Sequence, residues 1–269
     1  MIRLICIDLD GTLFDDDKNI SEDNLKALRE AKKMGARVVI TTGRPKNGVK
    51  PILKRLGLTT NEDYVIIYNG AFIYNAGTDE VIHTTTIGGA IVKRLYNESR
   101  RLGLHYHAFR DNEELLTVDK NPYTDVETSI NKIEDHVYDF NLVKDSDRFI
   151  KAMLVDSFEN LNKATALVSE DLKNELTMVR SSKIFLEFLN PNTSKGEALK
   201  FLANYLGIPI EETMAIGDAG NDLPMLMAAG IGVCMENAFP EIKAKCKYFT
   251  DSNLNSGVAR AIERFVLNK

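Results

Sequence analysis

Short, fully apolar segments alternate with amphipathic segments at the start of the chain. The spacing predicts one helix from Ser21, which is an N-cap residue, to Gly35, and a second helix from Pro45 to Leu56. Strands that are apolar at every position are buried on both faces, as in a parallel sheet between two helical layers. The pattern therefore predicts an α/β fold with strands at Leu4–Ile7, Val38–Thr41 and Tyr64–Tyr68.

The same alternation returns at the end of the chain. It predicts a helix capped by Ser194, a strand at Met214–Gly217, a short helix at Asp222–Ala229, a strand at Ile231–Met235 and a final helix capped by Ser256. We expect both ends of the chain to contribute to one parallel sheet. The predicted core domain consists of residues 1–82 and 190–269.

The middle of the chain, residues 83–189, has a different pattern. Strands with alternating apolar residues predict an antiparallel sheet, and helices are predicted at Ala90–Leu102 and Asn160–Leu172. The polar stretch Pro122–Arg148 carries no predicted element. We interpret this region as an inserted α+β domain with helices on one face of its sheet.

Charge and cysteine content narrow the functional class. The formal net charge is −5 and no basic stripe occurs, which argues against a nucleic-acid-binding protein. No apolar run approaches the length of a signal sequence or a membrane span. The three cysteines, Cys6, Cys234 and Cys246, form no CxxC motif and indicate a reducing compartment. We expect a cytoplasmic protein, monomeric or homodimeric, without nucleic-acid or membrane partners.

Polar, glycine-containing segments follow four of the predicted strands. In a parallel sheet, ligands bind beyond the carboxyl ends of the strands. Neighbouring carboxylates repel each other near a core unless a cation compensates. Lys195 adds a positive charge at a helix N-terminus, which itself favours anions. The four segments are Asp8-Leu9-Asp10-Gly11-Thr12, Thr41-Thr42-Gly43-Arg44, Asn69-Gly70 and Gly217-Asp218-Ala219-Gly220-Asn221-Asp222.

Each segment taken alone has a simpler interpretation. Asp8 and Asp10 could lie in a solvated turn, the Gly43 and Gly70 segments could be ordinary turns, and Lys195 could be a surface lysine. Their common position at the ends of strands favours a functional site. Carboxylates for a metal, donors for phosphate oxygens and one ammonium would then meet at one edge of the sheet.

These motifs resemble those of haloacid dehalogenase (HAD) superfamily phosphatases of the Cof type, which are close to sugar phosphatases. The resemblance covers essentially the whole chain. It implies a Rossmann-like HAD core with a parallel sheet and an inserted α+β cap of the C2B type, also called type IIB.

The resemblance also implies a mechanism. Asp8 would attack phosphorus to form an aspartyl-phosphate, and Asp10 would act first as an acid and then as a base. The cofactor would be Mg²⁺, held by Asp8, the Asp10 carbonyl and Asp218, with Asp222 in support. Phosphate or substrate contacts would come from Leu9, Thr42, Gly43, Arg44, Asn69, Lys195 and Asn221.

The expected reaction is hydrolysis of a small phosphorylated metabolite, with a sugar phosphate as the first expectation. Closure of the cap would exclude bulk water. Two alternatives stay open at this point: phosphoryl transfer as in phosphomutases, and a non-catalytic metabolite sensor on the same scaffold.

Two further groups have open interpretations. His105 and His107 alternate in a predicted strand, so their side chains share a face of the sheet. They lie either on the surface of the cap or in a wall that contacts substrate. A zinc site would need more ligands than these two histidines. The acidic run Asp15–Asp17 is a solvated loop or part of a hinge between core and cap.

Overall fold

The computed structural model describes residues 1–268, which form two compact units. The first unit contains residues 1–43, 51–83 and 194 onward, and the second contains residues 44–50 and 84–193.

The strands and helices are numbered in chain order. The strands are β1 (Leu4–Ile7), β2 (Arg37–Thr41), β3 (Tyr64–Ile67), β4 (Phe72–Asn75), β5 (Val81–Thr84), β6 (Ile87–Gly88), β7 (His105–Arg110), β8 (Leu115–Thr117), β9 (Asp135–Val137), β10 (Arg148–Val155), β11 (Thr177–Ser182), β12 (Phe185–Leu189), β13 (Thr213–Gly217), β14 (Ile231–Cys234) and β15 (Tyr248–Phe249). The α-helices are α1 (Glu22–Lys33), α2 (Lys46–Leu56), α3 (Gly89–Leu102), α4 (Pro122–Asn131), α5 (Phe158–Leu167), α6 (Glu170–Glu175), α7 (Lys195–Tyr205), α8 (Leu223–Ala228), α9 (Pro240–Lys243) and α10 (Gly257–Phe265). Short 3-10 helices lie at Tyr68–Gly70, Phe140–Leu142, Ile210–Glu212 and Asn253–Asn255.

One sheet forms the centre of the first unit. Its strand order is β15-β14-β13-β1-β2-β3-β4-β5, and β1 pairs in parallel with both β2 and β13. Every residue of β1 is buried, as expected for a strand covered on both faces. The predicted parallel α/β sheet is confirmed for the strands from both ends of the chain.

The edge strands β4 and β5 were not predicted. β4 pairs antiparallel with β3, so the sheet is mixed at this edge. The outermost strand β5 is exposed at both ends and half-buried between them, and a polar turn separates it from β4. Such a short strand lacks the continuous apolar run that identified the others.

Two of the three predicted serine caps are confirmed. The Ser21 hydroxyl accepts a hydrogen bond from the Asn24 N–H at 3.2 Å, and Ser194 accepts one from Glu197 at 3.0 Å. The prediction for Ser256 is wrong, because its side chain makes no capping bond. Instead, the Asn24 side-chain oxygen accepts the Ala259 N–H at 2.8 Å, so α1 supplies the cap of α10.

The second unit is an antiparallel sheet with helices packed on it, as the α+β prediction stated. The strand order is β11-β12-β10-β7-β8-β9, with β6 beside β10, and only the β8–β9 pair within this order is parallel among the described pairings. An apolar cluster from α3, α5 and the sheet includes Tyr106, whose hydroxyl donates to the Val92 carbonyl at 3.0 Å.

Two helix predictions in the second unit need correction. The single helix predicted at Asn160–Leu172 is broken into α5 and α6, where Val168 leaves helical geometry and Ser169 donates its N–H to Glu98. The stretch Pro122–Arg148, predicted without an element, contains α4 and β9. Asn121 caps α4 by accepting N–H bonds from Tyr123 and Thr124.

His107 lies in a part of its sheet face that is closed off from solvent. His107 is fully buried, with its ring nitrogens 2.9 Å from the Thr124 hydroxyl and 3.1 Å from the Met153 sulfur. Burial, aided by the charge of Lys151, lowers the pKa of His107 to about 3. The surface interpretation of His107 is therefore wrong, while His105 is half-exposed and contacts Asp119 at 3.0 Å.

A cluster of buried charges lies on this face. The Lys151 ammonium lies 3.2 Å from a Glu187 oxygen and 3.6 Å from a Glu127 oxygen, and all three side chains are buried. Burial alone would lower the pKa of Lys151, but the two carboxylates outweigh it and raise that pKa. Losing the ammonium would leave two buried carboxylates without the cation that contacts them.

No helix within residues 1–268 combines the length and apolar character needed to cross a membrane.

We predict that Lys151→Met lowers the free energy of unfolding by about 3–5 kcal/mol, because two buried carboxylates lose their cation. Denaturant unfolding followed by circular dichroism measures the change. Lys163→Met, at an exposed position on α5, is the matched control and should change it by less than about 0.5 kcal/mol. Equal effects of both substitutions would contradict the assignment of a stabilising charge cluster.

Candidate active site

Two carboxylates meet because β1 and β13 are parallel neighbours in register. Ile7 pairs with Ile216, and the Asp8 N–H donates to the Ile216 carbonyl at 3.1 Å. Asp8 follows β1 directly and Asp218 follows β13 directly. The two strands therefore end at the same edge of the sheet and deliver their aspartates to one place.

Asp222 completes a group that we call the acidic cluster: Asp8, Asp218 and Asp222. One carboxylate oxygen from each lies within 4.8 Å of the others, and all three residues are buried. The N–H groups of Asp218 and Ala219 donate to Asp222 Oδ2 at 3.0 and 2.9 Å, which folds the loop back on itself. Asp222 thereby fixes the path of the loop that presents Asp218.

Lys195 is the cation of the site. Its side chain is fully buried, and its Nζ lies 2.5 Å from Asp8 Oδ1 and 2.6 Å from Asp222 Oδ1. Lys195 is the first residue of α7, so the Ser194 cap sets its position. Burial alone would lower its pKa, but the charges of Asp222 and Asp8 outweigh burial and raise it. Lys195 is therefore a permanent positive charge.

The cluster retains an excess of negative charge. Burial raises the pKa of Asp8 well above its usual value, and the Asp222 charge adds to this effect while Lys195 opposes it. Burial and the Asp222 charge also raise the pKa of Asp218 to about 6. Three carboxylates and one ammonium leave two uncompensated negative charges when all are ionised. A hard divalent cation with oxygen ligands fits both the charge and the donor set.

Glycine and threonine shape the cleft around Asp218. Thr12 donates its hydroxyl to Asp218 Oδ1 at 2.8 Å. Gly11 has φ of +82°, and a Cβ there would lie 2.6 Å from Asp218 Oδ2. A larger residue would suffer both backbone strain and a clash with the carboxylate. Thr12 was quoted in the first motif but was not predicted as a site residue.

The predicted phosphate-binding residues form a second group within the first unit. Asn69 has φ of +57°, and its N–H donates to the Thr42 carbonyl at 3.0 Å. The Asn221 amide donates to Asn69 Oδ1 at 3.0 Å. A Cβ on Gly43 would lie 3.1 Å from the Asn69 amide group. Thr42, Gly43, Asn69 and Asn221 therefore lie together, and Asn221 belongs to the loop that carries Asp218.

Three predicted residues are placed differently from this group. The Leu9 side chain is fully buried, so Leu9 can offer a ligand only its backbone. The Asp10 side chain is 41% exposed and lies 2.8 Å from the Lys18 ammonium. Arg44 belongs to the second unit, as does the buried Glu127; burial raises the pKa of Glu127, and the charges of Lys151 and Arg44 oppose that shift only in part. Lys18 was not predicted as a site residue.

Comparison with known proteins identifies the family of the chain. Residues 5–262 match the family model described as haloacid dehalogenase-like hydrolase. A Bacillus subtilis (strain 168) protein named "Putative phosphatase YxeH" is 39% identical over 100% of both chains. The 5-amino-6-(5-phospho-D-ribitylamino)uracil phosphatase YcsE of the same organism is 31% identical, over 99% of this chain and 96% of its own.

A solved structure has the same architecture. The haloacid dehalogenase-like hydrolase from Bacteroides thetaiotaomicron superposes with a TM-score of 0.84 and 32% identity, covering 98% of this chain and 99% of that one. The chain belongs to the haloacid dehalogenase-like hydrolases. It is a phosphatase that acts on phosphoric monoesters.

We predict that divalent cation binding stabilises the protein more strongly as pH rises. Because the pKa of Asp218 is raised from its usual value near 4 to about 6, the stability that this group contributes to the metal-free protein is greatest at low pH and is lost as pH rises through that interval. A cation binds the deprotonated carboxylates, so it should restore stability above about pH 6.

Thermal unfolding with and without MgCl₂, at about pH 5 and about pH 7.5, measures this effect. The shift in Tm should be larger at the higher pH. Asp218→Asn should raise the Tm of the metal-free protein at the higher pH and remove the shift caused by the cation. Equal shifts at both pH values, or a shift retained in Asp218→Asn, would show that the cation binds elsewhere.

Proposed function

We propose that this protein is a Mg²⁺-dependent phosphatase that hydrolyses sugar phosphates or closely related phosphorylated polyols through an aspartyl-phosphate on Asp8. The observation that carries the proposal is the buried Asp8–Lys195–Asp222 arrangement beside Asp218. The core assigned to this chemistry is residues 1–82 with 190–269, and residues 83–189 are assigned as the inserted cap.

Lys195 prepares Asp8 for nucleophilic attack. Its ammonium contacts one oxygen of Asp8 and fixes the orientation of the carboxylate, while Asp222 holds the ammonium from the other side. A fixed carboxylate loses little orientational freedom when it attacks phosphorus. The same positive charge attracts the phosphate group and offsets its repulsion by the carboxylates.

Asp8, the Asp10 backbone carbonyl and Asp218 would hold Mg²⁺. When bound, this ion supplies positive charge that compensates the excess carboxylate charge and the phosphoryl oxygens. The residues fit the ion because all donors are oxygens. The Thr12 hydroxyl also orients the Asp218 carboxylate by donating a hydrogen bond to Oδ1. Asp222 supports the site through Lys195 and the loop backbone.

The reaction then proceeds in two displacements. The Asp8 carboxylate attacks phosphorus as the bond to the leaving oxygen breaks, and Asp10 gives that oxygen a proton. Water next attacks the aspartyl-phosphate, Asp10 takes a proton from the water, and phosphate leaves Asp8. Thr42, Gly43, Asn69 and Asn221 are proposed to hold the phosphoryl oxygens, while Leu9 offers a backbone N–H and Arg44 a cation for substrate.

The substrate class rests on chemistry shared with a relative. The phosphatase YcsE acts, by its name, on a phosphate ester of a ribityl chain, which is a polyhydroxylated carbon chain. A sugar phosphate presents the same primary or secondary ester next to hydroxyl groups.

We predict that Asp8→Asn lowers kcat by roughly 10⁴-fold or more, because an amide cannot form the covalent intermediate. Asp171→Asn, at an exposed position in α6, is the control and should retain full activity. Release of inorganic phosphate from p-nitrophenyl phosphate with MgCl₂ measures both variants. A normal rate for Asp8→Asn would rule out the covalent route.

A substrate panel tests the rest of the proposal. We predict that sugar phosphates and phosphorylated sugar alcohols give higher kcat/KM values than nucleotides or p-nitrophenyl phosphate, and that chelation of Mg²⁺ removes all activity. Isomerised sugar phosphate without release of phosphate would indicate a phosphomutase. A protein inactive on every compound with Mg²⁺ present would indicate a sensor.

A further inference from the structure

The turn that follows the first motif carries an unassigned cation. Lys18 Nζ donates to Asp10 Oδ1 at 2.8 Å. Three aspartates, Asp15–Asp17, directly precede Lys18 in the chain, yet its ammonium contacts the carboxylate eight residues upstream. The partner of Lys18 is therefore determined by the geometry of the turn and not by proximity in the sequence.

The turn is fixed by its own hydrogen bonds. The Asp15 N–H donates to the Asn19 carbonyl at 3.0 Å, and the Lys18 N–H donates to the Asp15 carbonyl at 3.1 Å. Asp15 Oδ1 accepts the Asn19 N–H at 2.7 Å. Lys18 itself has φ of +63°, a conformation uncommon for residues with a side chain. The acidic run therefore builds the turn that presents Lys18.

A buried asparagine attaches this turn to the rest of the first unit. The Asn253 amide donates to the Phe14 carbonyl at 3.1 Å and to Asp16 Oδ1 at 3.2 Å. Asn237 accepts the Asn253 N–H at 3.0 Å and donates to the Gly11 carbonyl at 2.8 Å. One network therefore holds both the loop around Asp10 and the turn around Lys18.

The Lys18–Asp10 pair contributes little to folding. The two side chains are 56% and 41% exposed, and ion pairs at such positions add little to stability. A fixed turn that places an exposed lysine on the predicted acid and base of the reaction is better explained by a role in that reaction.

We propose that Lys18 is a positioning residue that holds the Asp10 carboxylate in the orientation from which it takes a proton from water during hydrolysis of the aspartyl-phosphate. This inference rests on the proposed function. Lys18 Nζ contacts Asp10 Oδ1 and so holds the carboxylate in one orientation. p-Nitrophenolate leaves without a proton from an acid, so with p-nitrophenyl phosphate a misplaced Asp10 carboxylate slows only the second displacement.

The test compares Lys18→Met, which keeps the length of the side chain but removes its charge, with Lys18→Arg, which keeps the charge. Lys26→Met, at an exposed position on α1, is the matched control. Steady-state and rapid-mixing kinetics use the full chain with MgCl₂ and p-nitrophenyl phosphate, and steady-state kinetics use one sugar phosphate found active in the panel.

For Lys18→Met we expect kcat to fall by about tenfold, a fraction of the roughly 10²–10⁴ that a positioned acid and base supplies. KM should fall in parallel, so that kcat/KM for the aryl phosphate hardly changes, because kcat/KM does not include hydrolysis of the covalent intermediate. A burst of p-nitrophenol close to one equivalent per enzyme should appear, and kcat should become equal for the two substrates. Lys18→Arg should restore most of kcat, and Lys26→Met should match the wild type.

Three outcomes would overturn the inference. Unchanged kinetics in Lys18→Met would show that the pair has no role in turnover. A fall in kcat/KM without a burst would place the defect before the covalent intermediate. A wild-type protein without Mg²⁺-dependent activity would refute both the proposed function and this inference. The first two outcomes, in contrast, require an active wild-type protein and refute only the role of Lys18.

Discussion

The contact of one buried ammonium with two buried carboxylates is the interaction on which the site depends. Lys195 lies between Asp8 and Asp222, with no exposed surface on its side chain. Without Lys195, the carboxyl edge of the sheet would bury three carboxylates and lose the ammonium that contacts two of them, at a large cost in free energy. With it, two negative charges remain when all three carboxylates are ionised, and one divalent cation would balance them.

Backbone geometry makes this contact possible. A Cβ on Gly217 would lie 2.5 Å from the Asp222 Cβ, and a Cβ on Gly70 would lie 2.3 Å from the Ser194 carbonyl oxygen. Both glycines therefore stand where two segments come too close for any side chain. One brings Asp222 back over the end of β13, and the other brings the start of α7, with Lys195, against the loop that carries Asn69.

The sequence contained most of the core and its site because the signals are local. Uninterrupted apolar runs identified β1, β2, β3 and β13, and the parallel pairing then required their polar ends to meet at one edge. The four motifs at the carboxyl ends of these strands and at the start of α7 then favoured a phosphatase. The deep burial of Lys195 was not predicted, since it depends on α7 packing against residues far away in the chain.

What the sequence analysis missed depends on contacts between distant segments. Ser256 has the sequence signature of a cap, yet Asn24 on α1 occupies that role through a contact across 235 residues. The strand pattern allowed His107 to be a surface residue. In the structure it is buried and contacts Thr124 of α4, a helix that lies in a polar stretch without a predicted element. Lys18 directly follows the acidic run Asp15–Asp17, and only the fold of the turn shows that it contacts Asp10.

The central claim is that Asp8 becomes covalently phosphorylated, and locating the phosphoryl group tests it most directly. The wild-type protein would be mixed with substrate and Mg²⁺, quenched in acid within one turnover, digested with protease and analysed by mass spectrometry. The account predicts one added phosphoryl group on the peptide that contains Asp8, localised to that residue. Phosphate transferred straight to water, or a phosphoryl group on any other side chain, would contradict it.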